Sequence, residues 1–201
     1  AEDGIRDHCV TGVQTCALPI FLGAVALAAL VAAPLTADAA LNATSGKPKV
    51  SFFAEGSPGA LDIEGVAGDI KVADDGTNLT FTIGMASIDT GIALRNEHMC
   101  SEFAMCQQFP TATLVVPKAS VQWGAAVGER KTGTVEGQFT AHGVTKPVSV
   151  EYSTQKSKTG FRVTGKFTFD ISQHGVAIPS YLGVTVDPKM RAEATMDLVD
   201  A

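Results

Sequence analysis

Two cysteines and a histidine are the residues of this sequence with the most obvious chemistry. Cys100 and Cys106 lie in the segment MCSEFAMCQQF, and His98 stands two residues ahead of the first of them. These three side chains could together bind a metal ion, but their spacing matches no common zinc module. A disulfide would also consume both thiolates. We therefore expect no metal site here.

The spacing of the two cysteines leaves two structures open. On a regular α-helix, residues six apart are separated by about 9 Å along the axis and point to different faces. A disulfide needs Cα atoms within about 7 Å of each other. Either the pair is bridged and the helix breaks between Cys100 and Cys106, or the helix is continuous and both are thiols. Export to an oxidising compartment favours the bridge.

Motifs for catalysis are missing from the sequence. It contains no Gly-x-Ser-x-Gly elbow, no His-Glu-x-x-His, no phosphate-binding glycine loop and no Cys-x-x-Cys-His haem attachment site. We therefore expect a binding protein and not an enzyme. The formal net charge is −6, and the charges are spread without a basic patch or a polybasic run. Neither nucleic acid nor an anionic lipid surface is indicated as a partner.

The N-terminal region carries two segments that we do not expect in the fold. Residues 1–20 resemble a translated sequencing adapter, so we expect an artefact there; a natural N-terminal tail is the alternative. Residues 21–39 resemble a signal peptide without its basic n-region, with small residues at Ala37 and Ala39 for cleavage. The apolar run from Phe21 to Leu35 is short for a membrane span, which needs roughly 20 residues. A truncated membrane anchor is the alternative to an exported, unanchored protein.

After Lys49, nearly all of the sequence has the two-residue period of half-buried strands. Val50, Phe52 and Ala54 alternate with polar or outward residues, and the last run, from Met190 to Leu198, alternates with charges. Turn-forming segments such as residues 55–59 and 74–78 separate the runs. Many short strands at regular spacing predict an antiparallel barrel or sandwich. Inward glycines opposite aromatic residues favour an all-β barrel of about eight strands.

One segment breaks the strand period. Residues 91–109, GIALRNEHMCSEFAMCQQF, are poor in β-branched residues and space Leu94, His98 and Phe103 as on a helix. Thr90 could cap this helix, and Pro110 ends it. The sequence therefore predicts one helix, or a pair of helical turns, inserted between two strands.

The order of these segments resembles the YceI family. Ser87-Ile88-Asp89-Thr90-Gly91, then Leu94 to Met99, Ser101, Phe103 and Phe109-Pro110 resemble its central signature, and His142 to Val148 resembles a second one. The resemblance covers roughly residues 47–199. It implies a lipocalin-like antiparallel barrel with a helix beside it, exported to the periplasm, whose lumen takes a long polyisoprenoid chain. The third signature, typically Arg-Asp-Phe-Gly, falls on Ser172 to Gly175, so any head-group contact by that Arg and Asp is in doubt.

The resemblance assigns a lumen to residues 40–201 and suggests which side chains line it. We expect six aromatic residues to contact an apolar ligand: Phe52, Phe81, Phe103, Trp123, Phe139 and Phe167. The alternative for each is an ordinary packed core. His98 and His142 match the family and could contact a head group, or could be structural histidines. Arg95 could pair with a phosphate, or with Asp89 or Glu97 on the helix surface.

Two functional hypotheses follow. The first is a periplasmic carrier for a polyisoprenoid or similar apolar lipid. We expect no cofactor, because burial of apolar area contributes roughly 25 cal/mol per Å2 to the binding free energy of such a lipid. The second is a secreted stress-response barrel with a packed core that acts through a protein partner. The sequence leaves open the identity of the lipid and whether the chain forms a homodimer.

Overall fold

The computed structural model describes residues 41–43, 48–58, 61–181 and 183–200. The expected artefact and signal peptide lie outside the described residues. The described strands are β1 (Leu41–Ala43), β2 (Lys49–Ser57), β3 (Leu61–Ala67), β4 (Ile70–Asp74), β5 (Asn78–Gly84), β6 (Ile88–Asp89), β7 (Thr111–Pro117), β8 (Arg130–Ala141), β9 (Val144–Lys156), β10 (Gly160–Asp170), β11 (Ser180–Tyr181), β12 (Val184–Val186) and β13 (Lys189–Asp200). The helix α1 spans Ala93–His98, and short helical turns cover Met85–Ser87, Met99–Phe103, Lys118–Ser120 and Ile171–His174.

All of these strands belong to one antiparallel sheet. Its order is β11-β12-β2-β13-β10-β9-β8-β7-β5-β4, with β1 paired to β13 and β3 paired to β2. The longest hairpin, β8–β9, keeps one register from Arg130 opposite Gln155 to Ala141 opposite Val144. Only His142 and Gly143 connect its strands, both with positive φ, as a two-residue hairpin turn requires.

The sheet curls until its ends approach each other. Strand β3 pairs at its end with the two-residue β6, which follows β5 along the chain after one short helical turn. The result is a curled antiparallel half-barrel with one helix, so the predicted fold class is confirmed. Nine described strands have at least five residues, one more than the expected eight or so.

The inserted helix is shorter than the segment suggested. After α1 the chain widens into a π-type turn, Met99–Phe103, and β7 begins directly after Pro110. The expected cap by Thr90 is wrong: the cap position is Ile92, and no side chain bonds to the helix there. The Thr90 hydroxyl instead donates to Oδ1 of Asn96 at 2.6 Å, which ties the loop before the helix to the helix itself.

A buried ion pair fixes the end of the barrel at which β4 turns into β5. Nζ of Lys118 lies 3.0 Å from Oδ2 of Asp74, and the two side chains are 6% and 0% exposed. The same carboxylate accepts the backbone N–H of Leu41 at 2.9 Å and of Gly76 at 2.8 Å. One carboxylate therefore joins β1, β4 and the segment after β7.

Candidate functional site

Two adjoining cavities occupy the interior of the half-barrel. The outer chamber, beside α1, has a volume of about 830 Å3, and the inner chamber, deeper in the sheet, has about 100 Å3. Four residues line both of them: Phe52, Ile83, Ala112 and Phe139. These residues therefore mark the boundary between the two chambers.

Aromatic and aliphatic side chains fill most of the inner end. Phe81, Trp123 and Phe167 line only the inner chamber, and the ring of Phe167 lies 5.0 Å from that of Phe139. Trp123 packs edge-on against Phe161 at 4.8 Å, and its indole N–H is buried without a hydrogen-bond partner in the described structure. The remaining volume is below the roughly 150 Å3 of a cavity that accepts benzene.

The outer chamber has an apolar wall with two sides. The helical segment contributes Ile92, Leu94, Met99 and Phe103. The segment between Ile171 and β13 contributes further apolar side chains: Val176, Pro179, Val184 and Val186. Ile92 and Leu94 are 49% and 59% exposed while they line the chamber, so they lie at its mouth.

Sequence reasoning identified little of this outer wall. Of the six expected aromatic residues, Phe103 alone lines only the outer chamber, and Phe52 and Phe139 lie at the boundary. The segment from Val176 to Val186 has no clear two-residue or helical period. Its part in the wall could not be found from periodicity, and only its apolar composition is a signal.

The structure brings the polar candidates Arg95, His98 and His142 to the outer chamber, together with Glu102. An ion pair of Arg95 with Asp89 or Glu97 is not present among the described residues. Asp89 instead accepts the side-chain amide of Asn96 and the backbone N–H of Gly91, both at 2.8 Å, and these bonds lower its pKa. The guanidinium of Arg95 is thus left beside the chamber.

Cys100 and Cys106 form a disulfide with a Cα–Cα distance of 4.8 Å. The helical segment ends at Phe103, so the chain can turn back and form the bridge. Met105, the residue before Cys106, has a positive φ of 48°. No group of three or more His, Cys, Asp or Glu side chains that could hold a metal ion occurs in the described part of the chain.

His142 and His174 hold the β8–β9 turn against the turn after β10. Nδ1 of His142 lies 3.2 Å from the carbonyl oxygen of His174, and its ring lies 4.2 Å from that of Phe109. His174, which sequence reasoning did not select, is 1% exposed, and its Nδ1 lies 2.9 Å from the carbonyl oxygen of Val144. His174 lies in the segment Ser172 to Gly175, on which the third signature falls, and its side chain is buried.

A curled antiparallel half-barrel around an apolar cavity defines a class of barrel-like proteins with an internal chamber. Within that class, this chain belongs to the YceI-like family, because the YceI-like domain model matches residues 43–198. No curated protein sequence matches the chain. Among the described residues, no helix is long and apolar enough to cross a membrane.

Several solved structures are similar to the chain, and two of them cover most of its length. One is a polyisoprenoid-binding domain from Saccharophagus degradans implicated in plant cell wall breakdown, with a TM-score of 0.67 and 14% identity over 82% of this chain and 100% of that one. The other is BcnA from Burkholderia cenocepacia, with a TM-score of 0.60 and 18% identity over 77% of this chain and 98% of that one. At these identities, the likeness shows a shared fold.

Proposed function

We propose that this protein binds one long apolar lipid of the polyisoprenoid class in the outer chamber and carries it through the periplasm. The observation that carries the proposal is the chamber of about 830 Å3, whose wall is apolar apart from a few groups near its mouth. Pockets for small ligands measure roughly 300–1,000 Å3. The chamber lies in the upper part of that range.

The volume agrees with several isoprene units. A cavity of roughly 150 Å3 accepts benzene, so the outer chamber has room for roughly five groups of that size. Each buried CH2 group contributes about 0.8 kcal/mol. An apolar chain therefore needs no precise polar contact to bind tightly. An empty chamber of this size leaves the side chains of its wall without packing partners, and a bound lipid would supply them.

The arrangement of the walls suggests an orientation for the lipid. Arg95, His98 and Glu102 lie on the helical side of the chamber, where a polar head group would meet them and the solvent. The tail would point to the boundary residues Phe52 and Phe139. The inner chamber, at about 100 Å3, has room for no more than the tip of the tail.

Two further observations support the proposal. The similar domain from Saccharophagus degradans is a polyisoprenoid-binding domain of the same fold. Residues 21–39 have the composition of a signal peptide, which is the basis for the periplasmic location. The rival function, a packed barrel that acts through a protein partner, agrees with the inner end of the sheet but leaves the outer chamber without a purpose.

Native mass spectrometry of protein purified from producing cells tests the proposal. We expect a mass excess that organic solvent removes and that consists of one isoprenoid lipid per chain. Ala54 lines the outer chamber, so Ala54→Phe should fill part of it and lower the lipid content at least several-fold. Ala119→Phe, on an exposed turn, is the matched control and should retain the lipid. A stable wild-type protein without extractable isoprenoid would contradict the proposal.

A further inference from the structure

Met105 and His142 share an unusual backbone conformation. In the described part of the chain they are the two non-glycine residues with positive φ, at 48° and 49°. Met105 follows a helical segment, at a position that usually takes Gly or Asn. His142 is the first residue of the two-residue turn between β8 and β9, where Asn, Asp or Gly is favoured. The chain therefore places bulky side chains at two positions that disfavour them.

These two side chains face each other. Nε2 of His142 lies 3.4 Å from Sδ of Met105, although the residues are 37 positions apart in sequence. Nδ1 of His142 lies 3.2 Å from a carbonyl oxygen, which can only accept a hydrogen bond. In the tautomer that carries its hydrogen on Nδ1, the ring donates to this carbonyl and Nε2 presents a lone pair to the sulfur; in the other tautomer, Nε2–H donates to the sulfur. Because a thioether has no hydrogen to donate, two acceptors point at each other in the first tautomer.

A soft cation would turn this repulsive pair into a binding site. Thioether and imidazole ligands together suit Cu(I), whereas carboxylate and carbonyl oxygens suit Mg²⁺ and Ca²⁺. A metal-bound histidine usually donates its other ring N–H to a carbonyl or carboxylate, and Nδ1 of His142 lies 3.2 Å from such an acceptor, the carbonyl oxygen of His174. With metal–nitrogen and metal–sulfur bonds of about 2.0 and 2.3 Å, a metal beside the 3.4 Å line joining the two atoms contacts both.

We propose that Nε2 of His142 and Sδ of Met105 form a binding site for Cu(I) at the edge of the outer chamber. The surroundings hold both ligands in place. The ring of Phe109 packs against His142, and the disulfide of Cys106 fixes the residue that follows Met105. Met105 is 39% exposed, so the site is open to ions from solvent, and a further ligand can come from solvent. The site does not depend on lipid binding.

Competition with a coloured Cu(I) chelator under anaerobic conditions, with ascorbate as the reductant, measures the affinity. The full chain contains Cys9 and Cys16, so iodoacetamide must first block free thiols; it leaves the disulfide intact. We expect wild-type protein to bind one Cu(I) per chain. Met105→Leu, which conserves volume, and His142→Gln should each weaken binding at least tenfold. Met196→Leu makes the same change at a buried methionine of the inner chamber, and it should leave the affinity unchanged.

Nuclear magnetic resonance gives a second, site-specific measurement. Titration with Cu(I), or with the redox-stable Ag(I), should shift the methyl signal of Met105 and the Nε2 signal of His142 before those of other residues. Equal affinity of the wild-type, Met105→Leu and His142→Gln proteins would overturn the proposal. So would the absence of a metal-induced shift at both Met105 and His142.

Discussion

The two ends of the half-barrel are built in opposite ways. The inner end is nearly filled by aromatic and aliphatic side chains, leaving about 100 Å3, and contains the buried ion pair of Asp74 and Lys118. The outer end keeps a chamber of about 830 Å3, exposes Ile92 and Leu94, and holds Met105 and His142 in disfavoured backbone conformations. The residues that stabilise the fold thus lie mainly at one end of the sheet, and those available for ligand binding lie at the other end.

This contrast explains how a small protein can keep a large cavity. Empty volume costs stability, because the atoms that line it lack packing partners. The inner end compensates with dense contacts, such as Trp123 against Phe161 at 4.8 Å and Phe167 against Phe139 at 5.0 Å. The outer end is stabilised instead by a covalent link, the Cys100–Cys106 disulfide, and the proposed lipid would stabilise it further.

The largest effect is expected from the ion pair at the inner end. Asp74→Asn removes the charge that balances the buried Lys118, and loss of one partner of a buried pair costs about 3–5 kcal/mol. The free energy of unfolding in urea measures this. Asp197→Asn is the matched control: its partner Arg162 is solvent-exposed, so the effect should be much smaller. Equal effects of the two substitutions would contradict the contrast between the packed end and the surface.

Substitution of Ala by Phe should lower the free energy of unfolding much more in the inner chamber than in the outer chamber. Ala194 lines the inner chamber, so Ala194→Phe overpacks it and should lower the free energy of unfolding by about 1–3 kcal/mol. Ala54 lines the outer chamber, where Ala54→Phe has space and should cost much less while it reduces lipid content. Unfolding in urea measures the free energy of unfolding, and the mass of extracted lipid measures the lipid content. If Ala54→Phe destabilised the protein as strongly as Ala194→Phe, the outer chamber would not be a real void.

Removal of the disulfide tests the outer end. Replacement of Cys100 and Cys106 by Ser opens a small loop, for which the chain-entropy model gives about 2 kcal/mol at most. Since the loop forms part of the chamber wall, the double variant should lose bound lipid faster than the wild type. The dissociation rate of a fluorescent lipid measures this. If the dissociation rate were unchanged, the disulfide would stabilise the fold without affecting lipid binding.

The smallest effect is the acid dependence of stability. Burial by itself raises the pKa of Asp74, but hydrogen bonds from the Gly76 backbone, the Lys118 side chain and the Leu41 backbone outweigh it and lower the pKa below 3.8. The stabilisation is therefore complete above about pH 4 and is lost as the pH falls through the folded-state pKa. Unfolding measured between about pH 6 and pH 2.5 should show a steeper decline for wild type than for Asp74→Asn. Parallel profiles would contradict this assignment.

The fold could be predicted from the sequence because apolar and polar residues alternate along most of its strands. The alternation of β8, β9, β10 and β13 appears in the residue types, and the break in that period located the helix. The cysteine spacing allowed either a bridge or a continuous helix, and the structure has the bridge with a break at Met105. In these places, local pattern and tertiary structure agree.

The chambers could not be predicted in the same way. Alternation tells which side chains point inward, but not whether rings such as Phe81 and Trp123 fill the space or leave it open, because that depends on strand curvature and on opposing residues. The chamber wall that includes Val176, Pro179 and Val184 and the contact of Met105 with His142 join segments far apart in sequence. Neither leaves a periodic signal.

Photo-cross-linking with a polyprenyl lipid that carries a diazirine on its tail tests the central claim most directly. We expect the label on side chains of the outer chamber, such as Met99, Phe103 and Val176, with labelling strongly reduced in Ala54→Phe. Labelling confined to the outer face of the sheet, for example near Glu151 and Lys166, or equal labelling of both proteins, would show that the chamber does not hold the lipid.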